Sequence, residues 1–120
     1  DHSCPSSISQ YAGLEAIKGP KNEVRKIVSE FEKRKTFLHK EINKIDRLSC
    51  FKPGGAFYAF PNISMSKLSG EQFAKKALYE KGVALIPGTS FGEEAKYYIR
   101  ISYANSLKNI KNAIKRISDI

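Results

Sequence analysis

The order of helical and extended patterns along this 120-residue chain predicts an α+β fold: a small, largely antiparallel sheet packed with helices, behind a long N-terminal helix. Three observations carry that expectation. A single helical periodicity runs for some two dozen residues in the first half, short apolar runs bounded by Gly and Pro follow it, and two well-capped amphipathic helices flank the last two of these runs. No internal repeat or low-complexity segment interrupts the pattern.

The stretch PSSISQYAGLEAIKGP opens with Pro5 and a Ser7-x-x-Gln10 capping box and closes on Gly19-Pro20, which predicts a helix from Ser7 to Lys18. From Asn22 to about Asp46, Val24, Val28, Phe31, Leu38, Ile42 and Ile45 recur every three to four positions, or every seven where Lys35 interrupts the series. That spacing predicts one amphipathic helix, roughly 37 Å long at 1.5 Å per residue. Its length exceeds the usual three or four turns and suits a brace between two domains.

LSCF and AFYAFPNI read as strands joined by the turn KPGG, the second closed by Pro61 and Asn62. Alternation sends Phe57 and Ala59 to one face and Ala56, Tyr58 and Phe60 to the other, so both faces carry large rings. Ser69 and Gln72 form a capping box for a helix with Phe73, Ala74, Ala77 and Leu78 as its apolar stripe and Gly82 as its C-cap. VALI is then a short strand running into PGTSFG, and YYIRISYA is the last strand. It places Tyr97, Ile99, Ile101 and Tyr103 on one face and Tyr98, Arg100 and Ser102 on the other. Leu107, Ile110, Ile114 and Ile117 define a final helix capped by Asn105 or Ser106.

Composition narrows the function classes. Forty-one per cent hydrophobic residues, with six Tyr and seven Phe, exclude a disordered chain. A net charge of +9 raises nucleic acid as a partner, but the bases are spread along the chain, mostly Lys interleaved with Glu, without an RNP-like motif or zinc-finger spacing. A solvated lysine-rich surface is the ordinary reading. Cys4 and Cys50 are too few and too distant for a disulfide framework or a CxxC site and are expected as free buried thiols. His2 and His39 have no partner at ligand spacing. No apolar run approaches the roughly 20 residues of a membrane span, and no secretory leader is seen, so a soluble cytoplasmic protein is expected. The chain starts at Asp1 and its one methionine is Met65, which leads us to expect a piece of something longer.

No Ser/His/Asp or Cys/His grouping, P-loop or HExxH is present. Glu93 and Glu94 are adjacent carboxylates in a loop, more simply a solvated tip than an acid/base pair. What remains are the glycine-rich loops KPGGAFYAF and PGTSFG, and Arg100. A guanidinium can grip a carboxylate through two parallel charge-assisted hydrogen bonds, and a strand is a rigid mount for it. Taken alone, Arg100 on a polar strand face is more simply a surface arginine.

In combination, HSCPSSISQYAGLEAI, INKIDRLSCFKPGGAFYAFPNIS, EKGVALIPGTSFG and YYIRISYANSLKNIKNAIKRI resemble the C-terminal part of class I pyridoxal-phosphate aminotransferases, and within them the aspartate aminotransferase branch. The resemblance covers essentially all 120 residues, in the family's order, and implies the small domain of that fold. It implies that Arg100 holds the substrate's α-carboxylate and that Phe57 borders the substrate pocket. Arg100 would face a cleft whose other wall is missing from this chain and is therefore expected to be solvent-exposed. Pro87, Gly88, Phe91 and Gly92 match a loop that shapes the mouth of the site. Residues 1–20 would end the large domain, and 21–120 would form the small domain. The amino group would pass between an amino acid, aspartate in that branch, and a 2-oxo acid. Pyridoxal 5'-phosphate would be held by residues absent here: Ser66-Lys67 is followed by LSGEQF and does not match the cofactor-lysine motif. The partners implied are the large domain of the same chain and a second copy in a homodimer, with no nucleic acid and no membrane, and the chain alone is expected to be inactive. The competing reading, from the residues alone, is a stand-alone basic α+β module for an acidic ligand or nucleic acid.

Overall fold

The computed structural model describes residues 4–120, and His2 lies outside the described residues. Among the described residues four α-helices, α1 (Ser7–Lys18), α2 (Asn22–Ile42), α3 (Gly70–Tyr79) and α4 (Leu107–Ile117), accompany three short strands, β1 (Tyr58–Ala59), β2 (Ile86–Pro87) and β3 (Ile99–Ser102). The fold is α+β. The chain divides into two compact units, the first ending at Glu30 and the second spanning Phe31–Ile120.

In the first unit, α1 has the expected bounds, but its cap is Ser6, whose Oγ accepts the Ser9 amide at 3.2 Å, while Gln10 Nε2 donates to the Pro5 carbonyl. At the other end Lys21 Nζ donates to the carbonyls of Ala16 and Ile17, where a cation meets the negative end of the helix. None of the residues of α1 is buried, and Val24 and Val28 in the first turns of α2 are exposed as well.

The second unit holds the core. Leu38 and Ile42 of α2, Ala59, Ile63, Phe73, Ala77, Ile99, Tyr103 and Ile117 are all at most 2% exposed. Lys35, which breaks the apolar series, keeps only 14% of its side chain exposed and carries its ammonium to Glu32 at 2.5 Å. That hydrogen bond holds the Glu32 carboxyl below the usual carboxylate range. Helix α2 stops at Ile42, short of the expected Asp46, so its 21 residues span roughly 32 Å. Beyond it Lys44 and Ile45 bond to carbonyls three residues back, and the Asn43 side chain accepts the Cys50 amide at 2.9 Å while donating to the Cys50 carbonyl at 3.0 Å.

That clamp explains a correction in the sheet. With the Cys50 backbone engaged by Asn43, LSCF adds no ladder strand; Ser49 forms an isolated bridge to Asn62, and four expected strands become three. The sheet order is β1-β3-β2, both pairings antiparallel, with Tyr58 opposite Ser102, Ala59 opposite Ile101, Ile86 opposite Arg100 and Pro87 opposite Ile99. Of VALI only Ile86 pairs. Pro87, which has no amide to donate, sits on the edge strand where that costs least.

Helix α3 has both halves of its capping box: Ser69 Oγ accepts the Gln72 amide and Gln72 Oε1 accepts the Ser69 amide. After Tyr79 the chain reverses at Gly82, whose φ of 63° favours glycine, and the Val83 amide closes back onto the Ala77 carbonyl at 2.8 Å. Leu78, expected in the stripe, is 48% exposed. Helix α4 is capped by Ser106, which accepts the Asn109 amide, and buries Ile110, Ile114 and Ile117, whereas Leu107 stays partly exposed. Cys50 is a buried free thiol as expected; Cys4 is exposed, contrary to expectation. Among the described residues, no helix is long and apolar enough to cross a membrane.

Candidate functional site

Strand β3 separates core from site. Ile99 and Ile101 point into the core, and Arg100 and Ser102 point to the opposite face. Tyr103 continues the buried face at 1% exposure, but Tyr97 does not join it: it lies in the turn before the strand, 44% exposed.

Arg100 is half-buried rather than solvent-exposed, and aromatic rings are the reason. Its Cζ lies 4.3 Å from the centroid of Tyr58 and 4.8 Å from that of Phe91. Tyr58 belongs to β1, on one flank of β3; Phe91 ends a 3-10 turn, Gly88–Phe91, that leaves β2 on the other flank. Phe60 extends the aromatic wall, edge-on to Phe91 at 6.0 Å and stacked on Tyr98 at 5.2 Å. Phe57 stands one ring away from Arg100, 4.4 Å from Tyr58. Among the described residues no carboxylate lies within ion-pair distance of Arg100. Its ring-facing surfaces are occupied, while the N–H donors along its edge suit a planar, two-oxygen anion.

Two backbone devices hold the rings in place. On the β1 side Ala56 adopts a φ of 55°, and buried Tyr103 braces the turn: its hydroxyl donates to the Ala56 carbonyl at 3.0 Å and its amide to the Phe57 carbonyl at 2.9 Å. Burial pushes the Tyr103 phenol up from the ordinary tyrosine range. On the β2 side Gly88 is buried, donates to the Tyr98 carbonyl at 2.8 Å, and leaves no room for a Cβ, which would collide with the Ala95 and Tyr98 carbonyls. Thr89 Oγ1 donates to Glu71 Oε1 at 3.2 Å, tying the loop to the first turn of α3. Gly92 ends the turn at a φ of 143°.

The sequence-predicted residues therefore converge in part. Arg100 and Phe91 touch; Pro87, Gly88 and Gly92 shape the loop that carries Phe91; Phe57 reaches the arginine only through Tyr58. Glu93 and Glu94 are exposed on the following turn. Tyr58, Phe60 and Tyr98 were not singled out from the sequence as site residues. Alternation had placed Tyr58 and Phe60 on one face and Tyr98 with Arg100, and the missing signal was the register that brings the two faces together.

The groups around Arg100 do not fit pyridoxal phosphate, which needs an amine to carry its aldehyde, an acid for its ring nitrogen and donors for its phosphate. The neighbours are rings, Lys96 is exposed over Tyr97, and Lys67 is exposed on a turn. No cluster able to hold a metal ion occurs among the described residues. A cavity of about 400 Å³ lies against α4, lined by residues such as Leu85, Ile101, Asn109 and Arg116, and includes none of the site residues.

Comparison with known proteins places these observations in a family. The model of the family described as "Aminotransferase class I and II" matches residues 1–117. The chain is 40% identical over 114 residues to the putative aminotransferase YugH of Bacillus subtilis, covering 95% of this chain and 29% of that protein. It is 41% identical over 118 residues to an aspartate aminotransferase of Bacillus sp. (strain YM-2), covering 94% and 30%. Among solved structures, an aromatic aminotransferase from Pyrococcus horikoshii OT3 superposes with a TM-score of 0.91 at 34% identity, over 97% of this chain and 31% of that one. The aspartate aminotransferase from Rhizobium meliloti gives 0.90 at 34% identity, over 98% and 31%. The chain thus spans about 30% of the length of the curated relatives it matches.

Proposed function

The chain belongs to the class I and II aminotransferases, and from that premise we propose that it is the C-terminal small domain of a pyridoxal-phosphate-dependent transaminase, with Arg100 gripping the α-carboxylate of the substrate. The observation that carries this reading is a half-buried guanidinium, over the rings of Tyr58 and Phe91, that has no carboxylate partner among the described residues. A carboxylate supplied by a ligand completes it.

Phe57 borders the pocket beside Tyr58, and the loop of Pro87, Gly88, Phe91 and Gly92 shapes its mouth. The aspartate aminotransferases among the relatives support aspartate as the amino donor and a 2-oxo acid as the acceptor. Residues 1–20 end the large domain and 21–120 form the small one. The wholly exposed α1, with Ile8, Tyr11 and Ile17 each at least 75% exposed, supports a further body of protein around it. The whole enzyme works in the cytoplasm as a homodimer.

In that enzyme pyridoxal phosphate supplies the electron sink for amino transfer. This chain binds and orients. Arg100 fixes the substrate's carboxylate, and because it rides on the small domain, the grip draws that domain over the substrate and excludes water. Truncating one partner of such a charge pair removes about 2–5 kcal/mol, and about 3 kcal/mol is a factor of more than a hundred. Arg100→Ala in the whole enzyme is therefore expected to raise KM, lower kcat and reduce kcat/KM by about a hundredfold or more. An unchanged kcat/KM would sink the assignment. The 120-residue chain alone, supplied with pyridoxal phosphate, is expected to show no transamination.

A further inference from the structure

We propose that Tyr58 and Phe91 are positioning residues that hold the Arg100 guanidinium between their rings, so that only its donor edge is offered to a substrate carboxylate. The inference rests on the carboxylate reading of Arg100 and adds to it the cause of the arginine's orientation.

A free arginine side chain must surrender several rotatable bonds before it can grip a carboxylate with two parallel bonds, and that entropy weakens binding. Here much of the ordering precedes the ligand. Tyr58 reaches the guanidinium from β1 at 4.3 Å and Phe91 from the loop after β2 at 4.8 Å, so the two rings approach from opposite neighbours of the strand that carries Arg100. Neither ring is itself loose. The Tyr58 strand follows the turn braced by Tyr103, and the Phe91 loop is fixed by Gly88 and by the Thr89–Glu71 hydrogen bond. Rings over the faces of the cation attract it through their π-electron density and displace water from those faces, whereas the N–H donors around its rim stay available.

Kinetics of variants of the whole enzyme test this, because positioning acts on binding more than on turnover. Tyr58→Leu and Phe91→Leu are each expected to raise KM for the amino acid about threefold, and the pair about tenfold, with kcat within about twofold. Tyr58→Phe and Phe91→Tyr keep a ring in place and are expected to stay within about twofold of wild type in both constants. An independent readout needs no substrate: ring currents should displace the Arg100 Nε–Hε proton resonance upfield, and the leucine variants should return it toward its position in an unstructured peptide. If the leucine pair does not fold, Tyr58→Leu alone carries the test with the same threefold expectation. A leucine variant with unchanged KM and an unmoved resonance, in an enzyme that Arg100→Ala cripples, overturns the positioning role and leaves the carboxylate reading standing. An Arg100→Ala enzyme with normal kinetics overturns the carboxylate reading, and this inference with it.

Discussion

Helices α1 and α4 are made of similar local materials, yet α4 buries three isoleucines and α1 buries nothing. Each is capped by a serine whose hydroxyl accepts the amide three residues on, Ser6 from Ser9 and Ser106 from Asn109. Each carries four large apolar residues. The difference lies in their spacing. Leu107, Ile110, Ile114 and Ile117 step by three, four and three, which keeps them in one stripe along a 3.6-residue helix. Ile8, Tyr11, Leu14 and Ile17 step by three each time, falling about 60° short of a full turn per step, so that Ile17 ends roughly opposite Ile8. A stripe can be satisfied by one packed surface, but a spiral must be touched from several sides. Local propensity thus makes both helices, and only the stripe finds its partner within its own compact unit.

Truncating one isoleucine in each helix and unfolding the 120-residue chain in urea shows that contrast most clearly. Ile117→Ala, at a position 2% exposed, is expected to cost about 2–5 kcal/mol. Ile17→Ala, at a position 75% exposed, is expected to stay within about 0.5 kcal/mol of wild type. Equal costs would mean that α1 is as integrated as α4.

A smaller effect sharpens it. Ser106→Ala should lower the unfolding free energy by about 1 kcal/mol, because its helix is part of the cooperative core. Ser6→Ala should change global unfolding by no more than about 0.3 kcal/mol and show itself instead as a loss of helical circular dichroism, since an unanchored helix frays by itself.

The smallest effect is chemical. Cys4, exposed in the first unit, should react with a thiol reagent at neutral pH well before buried Cys50, whose thiol is pushed up by burial and so yields less thiolate. A raised pKa means the folded chain holds the Cys50 proton more tightly than the unfolded one, so this contribution is complete below the ordinary thiol range and is lost as pH rises through the raised value. Tyr103 acts in the same direction at still higher pH. Melting temperature should therefore fall on alkaline titration, and Cys50 should become reactive as it does.

Much of the fold was legible because its signals are local. The Ser69–Gln72 box, Gly82 and the 3-4-3 spacing of α4 each specify structure within a few residues. The alternation of Ile99, Arg100 and Ile101 likewise located the boundary between core and site. What was missed depends on contacts distant in the chain. LSCF reads as a strand until the Asn43 side chain takes the Cys50 backbone, and Leu78 lies on the apolar side of α3 without being covered. For the site, the sequence pointed to Arg100 and to the Phe91 loop, whereas Tyr58 needed the β1–β3 register, which a two-residue strand does not advertise.

Whether Arg100 grips the carboxylate on the substrate's α-carbon is decided by removing each partner in turn. In the whole enzyme, kcat/KM is compared for aspartate and for β-alanine, the same skeleton without the α-carboxylate, with wild type and with Arg100→Ala. The prediction is that wild type prefers aspartate by about a hundredfold or more and that Arg100→Ala loses most of that preference, the two losses failing to add because they remove one interaction. A preference for aspartate that survives intact in Arg100→Ala would mean that a group other than Arg100 holds the α-carboxylate.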